Sequence, residues 1–262
     1  MAILERDDKG AVAHLQMNSP ERLNALSDEM LAALQAQIDV LKDDKSIKAV
    51  ILSGIGKAFC AGHDIRQMTA GRDNADGGKA YFEDLFARCT SVMLGLQRLP
   101  QPVIAQVHGI ATAAGCQLVA SCDLAIAAED CRFGVNGVNI GLFCSTPMVA
   151  LSRNIPRKHA FELLTAGDFM MAPRAAELGL INRAVPADQL ESETRALADK
   201  IAGKLGAAVK IGKEAYYNQL EMPIDAAYAY TSGVIVDNLM QRDTAEGMAA
   251  FIEKRAPDWE KP

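Results

Sequence analysis

The chain has 262 residues, of which 50% are hydrophobic and 23% are charged, and its formal net charge is −6. This length suits one large domain, or a domain with an appended helical part, and the apolar content can fill a sizeable core. The acidic balance without a basic run argues against nucleic acid as a partner. No apolar run reaches the ~18 residues that a membrane span requires.

Short β-branched runs alternate with amphipathic helical segments through the first two thirds of the chain. The runs at 11–17, 47–54, 102–109 and 123–130 predict strands, and the segments 27–44 and 79–99 predict helices. Ser27 is the expected N-cap of the first helix, with acidic residues in the first turn. Strands that alternate with helices indicate βα units and a mostly parallel sheet, and therefore an α/β fold class.

The strand pattern fades after about Cys144, and the remaining segments read as helices. They lie at 146–155, 157–166, 172–179, 187–205, 208–219, 223–241 and 243–254. We therefore expect a core over residues 1–195 and a helical C-terminal region over residues 196–262. The stretch 69–79, "TAGRDNADGGK", is the best candidate for a mobile loop.

The cysteines and the N-terminal residues indicate the cellular compartment of the protein and whether a metal site is expected. The six cysteines form no CxxC pair and no zinc-like spacing with histidine, so no metal site is predicted. Most of them lie among Ala, Val and Leu, which is typical of reduced core thiols. The first residues, "MAILERDDKG", contain no apolar signal core, so the sequence predicts a cytoplasmic protein.

Two stretches have the composition of a site that binds an anion through the backbone. The first, "GKAFCAGHDIRQM" at 56–68, follows a predicted strand and places Gly62 among small residues. In the second, "HGIATAAGCQLVASCD" at 108–123, tiny residues precede a helical pattern. The first turn of a helix carries unpaired N–H groups and partial positive charge, so an oxyanion could approach the N–H of Ala114. One donor from each loop would form an oxyanion hole; the alternative is tight packing of a small-residue helix.

The order and separation of these motifs resemble the enoyl-CoA hydratase/isomerase (crotonase) superfamily along nearly the whole chain. The resemblance also includes "MNSPERLNALSDEML", "LLTAGDFMMAPRAAELGLINRAV" and "EGMAAFIEKRAPDW". "ATAAGCQLVASCD" and "GVNIGLFCSTP" are most similar to the branch of enoyl-CoA hydratase domain-containing proteins. The resemblance implies a crotonase-like spiral of ββα units, with a helical C-terminal region used for trimerisation and a homotrimer or homohexamer as the assembly. It also implies a CoA thioester as substrate, with no separate cofactor.

The resemblance assigns roles to particular residues. The two N–H donors for the thioester oxygen would belong to His63 and Ala114. The loop that holds the adenine end through its backbone corresponds to Ala61, Asp64 and Ile65. The N-terminal segment along the CoA path corresponds to Arg22, Leu23 and Ala25. The C-terminal helix that closes the site, often from a neighbouring subunit, corresponds to Phe251 and Lys254.

The sequence departs from the family where hydratases carry two catalytic glutamates, since it has Gln117 and Gly137 at those positions. Each general acid or base contributes about 10²–10⁴ in rate, so hydration by the two-glutamate route is not expected. With the hole already formed, Glu at both positions together would then be expected to raise hydration.

Other side chains could take part in catalysis. Gln117 could orient water or a carbonyl, or be satisfied by a loop backbone. Asn139 would share the face of Gly137 on an extended segment and enter the pocket, or serve as a turn residue. The His63 ring is the one candidate with a pKa suited to proton transfer. Cys144 could line the acyl pocket, and Asp123 reads as a helix–strand turn residue.

Three functions stay open at this point. The first is an acyl-CoA or enoyl-CoA enzyme, most readily labelled an enoyl-CoA hydratase. The second is a different reaction that uses the same hole, such as isomerisation, thioester hydrolysis or decarboxylation. The third is a non-catalytic acyl-CoA binder.

Overall fold

The computed structural model describes residues 2–259, which contain nine β-strands and eleven α-helices. The strands are β1 (Leu4–Lys9), β2 (Val12–Met17), β3 (Ala49–Gly54), β4 (Val103–Val107), β5 (Ile110–Thr112), β6 (Leu124–Ala128), β7 (Arg132–Gly134), β8 (Phe169–Met171) and β9 (Arg183–Val185). The helices are α1 (Asp28–Leu41), α2 (Ile65–Gly71), α3 (Lys79–Arg98), α4 (Ala114–Ser121), α5 (Ser145–Asn154), α6 (Arg157–Ala166), α7 (Ala172–Leu178), α8 (Leu190–Ala202), α9 (Gly206–Leu220), α10 (Ile224–Leu239) and α11 (Arg242–Ile252). The α/β class predicted from the alternating patterns is confirmed.

The main sheet has six strands in the order β1-β2-β3-β4-β6-β9. β1 runs antiparallel to β2, and every other neighbouring pair in this sheet is parallel. A smaller sheet contains β5, β7 and β8 in that order, and β5 runs parallel to β7. Since parallel strands end at the same edge, the segments that leave β3 and β4 meet there.

The central strand β3 of the main sheet is buried on both faces because helices cover each side. Val50 and Leu52 of β3 belong to the large core that includes side chains of α1 and α3. Ala49 and Ile51 pack instead in a smaller cluster with Ala198 of α8. Successive side chains of a strand point to opposite faces, so a strand covered on both sides reads as an unbroken apolar run, as "AVIL" does here.

The structure corrects the expectation that strands end near Cys144. β8 pairs with β7, and β9 adds to the edge of the main sheet beside β6. Each has only three residues, too few for a period to be visible in sequence. The charged edge strand β1 and the short helix α2, which begins the stretch expected as a loop, were also not predicted.

The predicted boundary between residues 195 and 196 falls inside α8, a helix that packs on β3, β4 and β6. The helices that follow α8 lie further out, and α10 contains no buried side chain. Between residues 2 and 259, no helix combines the length and apolar character needed to cross a membrane.

A buried ion pair ties α9 to the sheet. The Lys213 Nζ donates to Asp123 Oδ2 at 2.6 Å and to the carbonyl oxygens of Leu96 and Gln101 at 3.0 and 2.9 Å. Asp123 also accepts from the hydroxyl of Tyr217 and from the N–H of Val103. Asp123 therefore does more than the turn role predicted for it. Its carboxylate joins the start of β4 to Lys213 of α9, which lies ninety residues after Asp123 in the chain.

Replacing Lys213 with Met should lower the free energy of unfolding by about 3–5 kcal/mol, because Asp123 would stay buried without its cation. Urea denaturation followed by circular dichroism at a fixed protein concentration measures this. Lys210→Met on the exposed side of the same helix is the matched control and should change stability by less than about 0.5 kcal/mol. A Lys213→Met protein as stable as the control would show that the ion pair does not anchor α9.

Candidate active site

Two loops pair with each other at the carboxyl edge of the sheet. The loop after β3 donates from Phe59 N–H to the His108 carbonyl at 3.1 Å and from Cys60 N–H to the Ile110 carbonyl at 3.2 Å. The segment after β4 returns a hydrogen bond from Thr112 N–H to the Cys60 carbonyl at 3.0 Å. These bonds continue the parallel pairing beyond the strands and carry the loop over the start of α4.

The loops approach so closely that only glycine fits at position 62. Gly62 has φ +90°, and a Cβ there would lie 2.9 Å from the Cβ of Ala113 and 3.2 Å from the amide nitrogen of Ala114. Ala113, the N-cap of α4, itself has φ 50° and ψ −120°, which is unusual for a residue with a side chain. The contact brings the residue after Gly62 next to the first turn of α4.

Two backbone N–H groups at this contact have no acceptor. Within residues 2–259, neither the N–H of His63 nor that of Ala114 donates a hydrogen bond to the protein. For Ala114 the reason is positional, since the first N–H groups of a helix have no partner within it. A backbone N–H without an acceptor is costly unless water or a ligand satisfies it.

The N-terminal segment packs against the same loop. Leu23 and Asn24 both have φ 52°, which turns the chain so that the Leu23 carbonyl accepts from Ala61 N–H at 3.0 Å. The Leu26 N–H donates to the Gly62 carbonyl at 2.7 Å. The structure thus places Leu23 and Ala61, assigned to CoA binding from the sequence, in direct contact.

Asn24 fixes this segment, although sequence reasoning did not single it out. Its side chain is fully buried, accepts from Ser19 N–H and donates to the carbonyl oxygens of Ile55 and Ala58. The combination of a left-handed backbone and three side-chain hydrogen bonds suits Asn. An Asn between two apolar residues in "RLNAL" is the available signal.

Asp64 and Arg22 form an ion pair beside the loop. The Arg22 guanidinium lies 2.9 Å from Asp64 Oδ2, and Asp64 Oδ1 caps α2 by accepting from Arg66 N–H and Gln67 N–H. The Asp64 carboxylate is therefore committed to the protein. The Asp64 carboxylate is thus not available to a ligand, so a contact at this residue would come from its backbone.

A cavity of about 550 Å³ opens against these groups. Its walls are mostly apolar, and its lining includes four of the predicted residues, Ala61, His63, Ile65 and Ala114, together with Gly137 and Cys144. Further side chains of the wall come from α2 and its C-cap, from α3, from the segment before α5 and from the first turn of α5: Met68, Arg72, Phe82, Phe86, Ile140, Leu142, Phe143, Ser145, Thr146 and Pro147. Sequence reasoning missed these because an apolar helix face is the same whether it meets a core or a ligand.

The His63 ring lies in this wall with its two nitrogens buried and without a hydrogen-bond partner within residues 2–259. It contacts Phe86 edge to face, with ring centroids 5.3 Å apart. Burial lowers the pKa of His63 below its ordinary value, so the ring is neutral at neutral pH. A neutral imidazole can accept a proton.

The two positions that depart from the family are both enclosed. Gln117 is 7% exposed, and its Oε1 has no hydrogen-bond partner among the described residues. It lies three residues after Ala114 on α4, behind the residues that line the cavity. At Gly137 a Cβ would lie 2.5 Å from the carbonyl oxygen of Leu142 and 2.9 Å from the Cys144 Sγ. The space that a side chain at position 137 would need is thus occupied by Leu142 and Cys144.

The structure corrects the placement of Asn139. The residues Gly137–Ile140 form a 3-10 turn and not an extended segment, so Asn139 does not share a face with Gly137. Its Nδ2 donates to the Gly167 carbonyl at 3.0 Å, and the residue is exposed and outside the cavity lining. Asn139 fastens the turn to the end of α6, and we withdraw it as a catalytic candidate.

The two predicted residues of the C-terminal helix stand apart from this site within one chain. Phe251 is 85% exposed, and Lys254, just after α11, has φ 54° and is exposed. Neither lines the cavity formed by the described residues.

All six cysteines are buried as free thiols. Burial raises the pKa of Cys60, Cys89, Cys116 and Cys131 to about 12 and raises that of Cys144 as well. Cys144 therefore faces the cavity as a neutral thiol and not as a thiolate nucleophile.

Comparisons with known sequences agree with the motifs. A family model described as enoyl-CoA hydratase/isomerase matches residues 7–262. Enoyl-CoA hydratase domain-containing protein 3, mitochondrial, of Xenopus laevis is 44% identical over 95% of this chain and 83% of its own length. The human protein of that name is 43% identical over 95% of this chain and 80% of its own length. Since these relatives are named as mitochondrial, the cytoplasmic location stays a prediction.

Comparisons with solved structures extend the agreement to the fold. An enoyl-CoA hydratase of Mycobacterium smegmatis is 52% identical with a TM-score of 0.94, covering 99% of both chains. Human enoyl-CoA hydratase domain-containing protein 3 is 41% identical with a TM-score of 0.94, covering 98% of this chain and 100% of that one. The chain therefore has the crotonase fold and belongs to the enoyl-CoA hydratase/isomerase family.

Proposed function

We propose that the protein is an enzyme that acts on acyl-CoA or enoyl-CoA thioesters, and that the N–H groups of His63 and Ala114 form its oxyanion hole. The observation that carries the proposal is the pair of backbone donors without acceptors beside an apolar cavity of about 550 Å³. Donors fixed in advance stabilise negative charge as it develops on a thioester oxygen, and removal of one such donor typically costs about 2.7–4 kcal/mol.

The CoA part of the substrate would follow the N-terminal segment. Leu23 lies beside Ala61 and Arg22 beside Asp64 through the contacts described above, and Ala25 follows in the same segment. Because the Asp64 carboxylate is engaged, recognition of the adenine end would use the backbone of the loop from Ala61 to Ile65. CoA enters as part of the substrate and leaves with the product, so no separate cofactor is required.

Proton transfer is where this chain differs from a two-glutamate hydratase. Hydration needs a base that activates water and an acid that protonates the adjacent carbon. The ionisable side chains of the described cavity lining are His63, Arg72 and Cys144, and none is a carboxylate. The His63 ring is the remaining group that could take a proton, and because its two nitrogens are buried, one of them would have to become accessible when substrate binds, while Gln117 can only orient a partner by hydrogen bonding.

A hole without carboxylates favours reactions that need a polarised carbonyl more than a strong base. Isomerisation, thioester hydrolysis and decarboxylation each pass through charge on the thioester oxygen. The alternative is a binder without turnover. Incubation of pure protein with a panel of acyl-CoA and enoyl-CoA thioesters, followed by mass spectrometry of products, separates these cases. A protein that binds no CoA thioester would refute the proposal.

The wild-type protein should hydrate crotonyl-CoA far more slowly than the roughly 10 per second of an ordinary enzyme. The reason is that neither Gln117 nor Gly137 can move a proton, and each missing group accounts for about 10²–10⁴ in rate. Loss of the enoyl thioester absorbance measures the rate. Turnover at ordinary rates would mean that another acid or base is present, and His63→Ala would test the ring because it keeps the backbone donor.

Gly137→Ala should destabilise the protein by about 1–3 kcal/mol, the usual cost of overpacking, because the new methyl group meets the Leu142 carbonyl. Gly212→Ala is the matched control: it lies within α9, where a Cβ meets no atom within 4 Å, and should stabilise by about 0.4–1 kcal/mol. Thermal unfolding of both variants measures the difference. Equal effects would contradict the packing argument.

The same contact revises the expectation that glutamates at 117 and 137 together restore hydration. A glutamate at 137 would first have to displace the segment from Leu142 to Cys144, which forms one wall of the cavity. The second carboxylate is thus excluded by the path of the chain as well as by the identity of the residue.

We further propose a homotrimer or a homohexamer as the working assembly. Several exposed apolar side chains of α10 recur at helical spacing, with Ile224 at 72%, Tyr228 at 70%, Ile235 at 55% and Leu239 at 48%. A contiguous apolar stripe of this kind is typical of a subunit interface. In such an assembly Phe251 and Lys254 would reach the CoA site of a neighbouring subunit.

Light scattering should give a mass of three or six times 28.1 kDa. Ile235→Glu should lower that mass, because it buries a charge in the interface. Asp237→Asn, on another face of α10, is the control and should leave the mass unchanged. A wild-type monomer at micromolar concentration would refute the assembly.

A further inference from the structure

The cavity lining contains one permanent charge. Within the described lining, His63 is neutral, Cys144 is a thiol, and the remaining side chains apart from Ser145 and Thr146 are apolar, so the guanidinium of Arg72 stands out. We infer that the site takes thioesters whose acyl chain ends in a carboxylate, and that Arg72 binds this carboxylate. The inference rests on the proposed function and adds a substrate class to it.

Arg72 is an exposed residue of the cavity lining whose guanidinium contacts an aromatic ring and is not neutralised. It caps the C-terminal end of α2, and its guanidinium carbon lies 5.9 Å from the centroid of the Phe82 ring. Within residues 2–259 it forms no ion pair with a carboxylate. A ring against the guanidinium leaves its N–H edges free to donate, and these edges match a carboxylate in geometry.

Most carboxylates of the surrounding elements are already engaged, and the exposed Asp73, which follows Arg72 in the chain, forms no ion pair with it. Asp64 pairs with Arg22 and caps α2, and Asp84 pairs with Arg88 on α3. Asp76, in the loop that follows Arg72, accepts from the N–H groups of Gly78 and Ala80. The structure thus leaves Arg72 available to an anion that enters the cavity.

The position of Arg72 favours the acyl chain over the CoA phosphates as the source of that anion. The proposed CoA path follows Arg22, Ala61 and Asp64 at the N-terminal end of α2, whereas Arg72 lies at the other end. The seven residues of α2 separate the two ends by roughly 10 Å at 1.5 Å per residue. The cavity between His63 and Arg72 is lined by Met68, Phe82 and Phe86, which suits methylene groups.

The pairing also indicates that the carboxylate is retained. A guanidinium stabilises the negative charge of a carboxylate, and loss of CO2 requires that charge to leave the group. Chemistry would therefore proceed at the thioester end, beside His63 and Ala114, with the distal carboxylate as a handle that fixes the chain.

Competition binding against a fluorescent CoA thioester tests the inference. The probes are succinyl-, glutaryl- and adipyl-CoA, each paired with the methyl-ended thioester of equal carbon number, butyryl-, valeryl- and hexanoyl-CoA. Wild type should prefer the carboxylate at one chain length by about tenfold or more, the scale of a charge-assisted hydrogen bond. The preference should fall as ionic strength rises.

Arg72→Gln should remove this preference and leave the affinity for hexanoyl-CoA within about twofold. Arg66→Gln is the matched control, since Arg66 is an exposed residue of the same helix outside the cavity lining, and it should retain the preference. Arg72→Lys should keep part of it, because the charge remains while the planar donor edge is lost.

Three outcomes would overturn the inference. Wild type could bind each methyl-ended thioester with the same affinity as the carboxylate-ended thioester of equal carbon number. Arg72→Gln could weaken both series equally, which would assign Arg72 to the CoA phosphates. Arg66→Gln could abolish the preference as fully as Arg72→Gln does. Failure of both series to bind wild type would instead refute the proposed function, so the two failures are distinguishable.

Discussion

The close approach of Gly62 to the start of α4 is the constraint on which the site depends. Parallel pairing beyond β3 and β4 drives the loop onto the helix terminus, and the absence of a side chain at Gly62 allows the contact. The arrangement is unfavourable by itself, because two N–H groups lack acceptors and Ala113 has a positive φ. An unpaired buried donor costs about 1–3 kcal/mol, and a strained backbone residue a similar amount. The buried sheet below offsets these costs, and a ligand oxygen would recover part of them.

This contact separates two chemical tasks that family members with two glutamates combine. In the proposed site, polarisation of a carbonyl would be a property of the backbone N–H groups of His63 and Ala114 and would not need a carboxylate at position 117 or 137. Proton transfer is a property of side chains, and here Gln117 is enclosed while the Leu142 carbonyl fills the space beside Gly137. On the proposed function, the chain would bind and polarise a thioester, while its acid–base chemistry would depend on the His63 ring or on the substrate.

Sequence could predict the parts of the structure that repeat a local rule. The apolar runs of β2, β3, β4 and β6 and the face of α1 were predicted within a few residues, because period and burial coincide there. The three-residue strands β8 and β9 could not be, since their pairing is set by neighbours distant in the chain.

For the candidate site, the motifs predicted the close backbone approach beside His63 and Ala114 because glycine and tiny residues mark such a contact. Asn139 was misplaced because a 3-10 turn cannot be distinguished from an extended segment in four residues. The roles of Asn24 and Asp123 depend on partners far along the chain, such as Ile55 and Lys213, and no local pattern encodes them.

The outer helices give the molecule a second level of organisation. The Lys213–Asp123 pair fixes α9 to the sheet, whereas α10 buries no side chain within one chain. The position of α11, and with it of Phe251 and Lys254, therefore depends on what covers α10. If a neighbouring subunit does so and its Lys254 reaches the CoA phosphates, each bound thioester spans two chains. By linkage, ligand binding and subunit association then strengthen one another by the same free energy, so CoA thioesters stabilise the assembly they require.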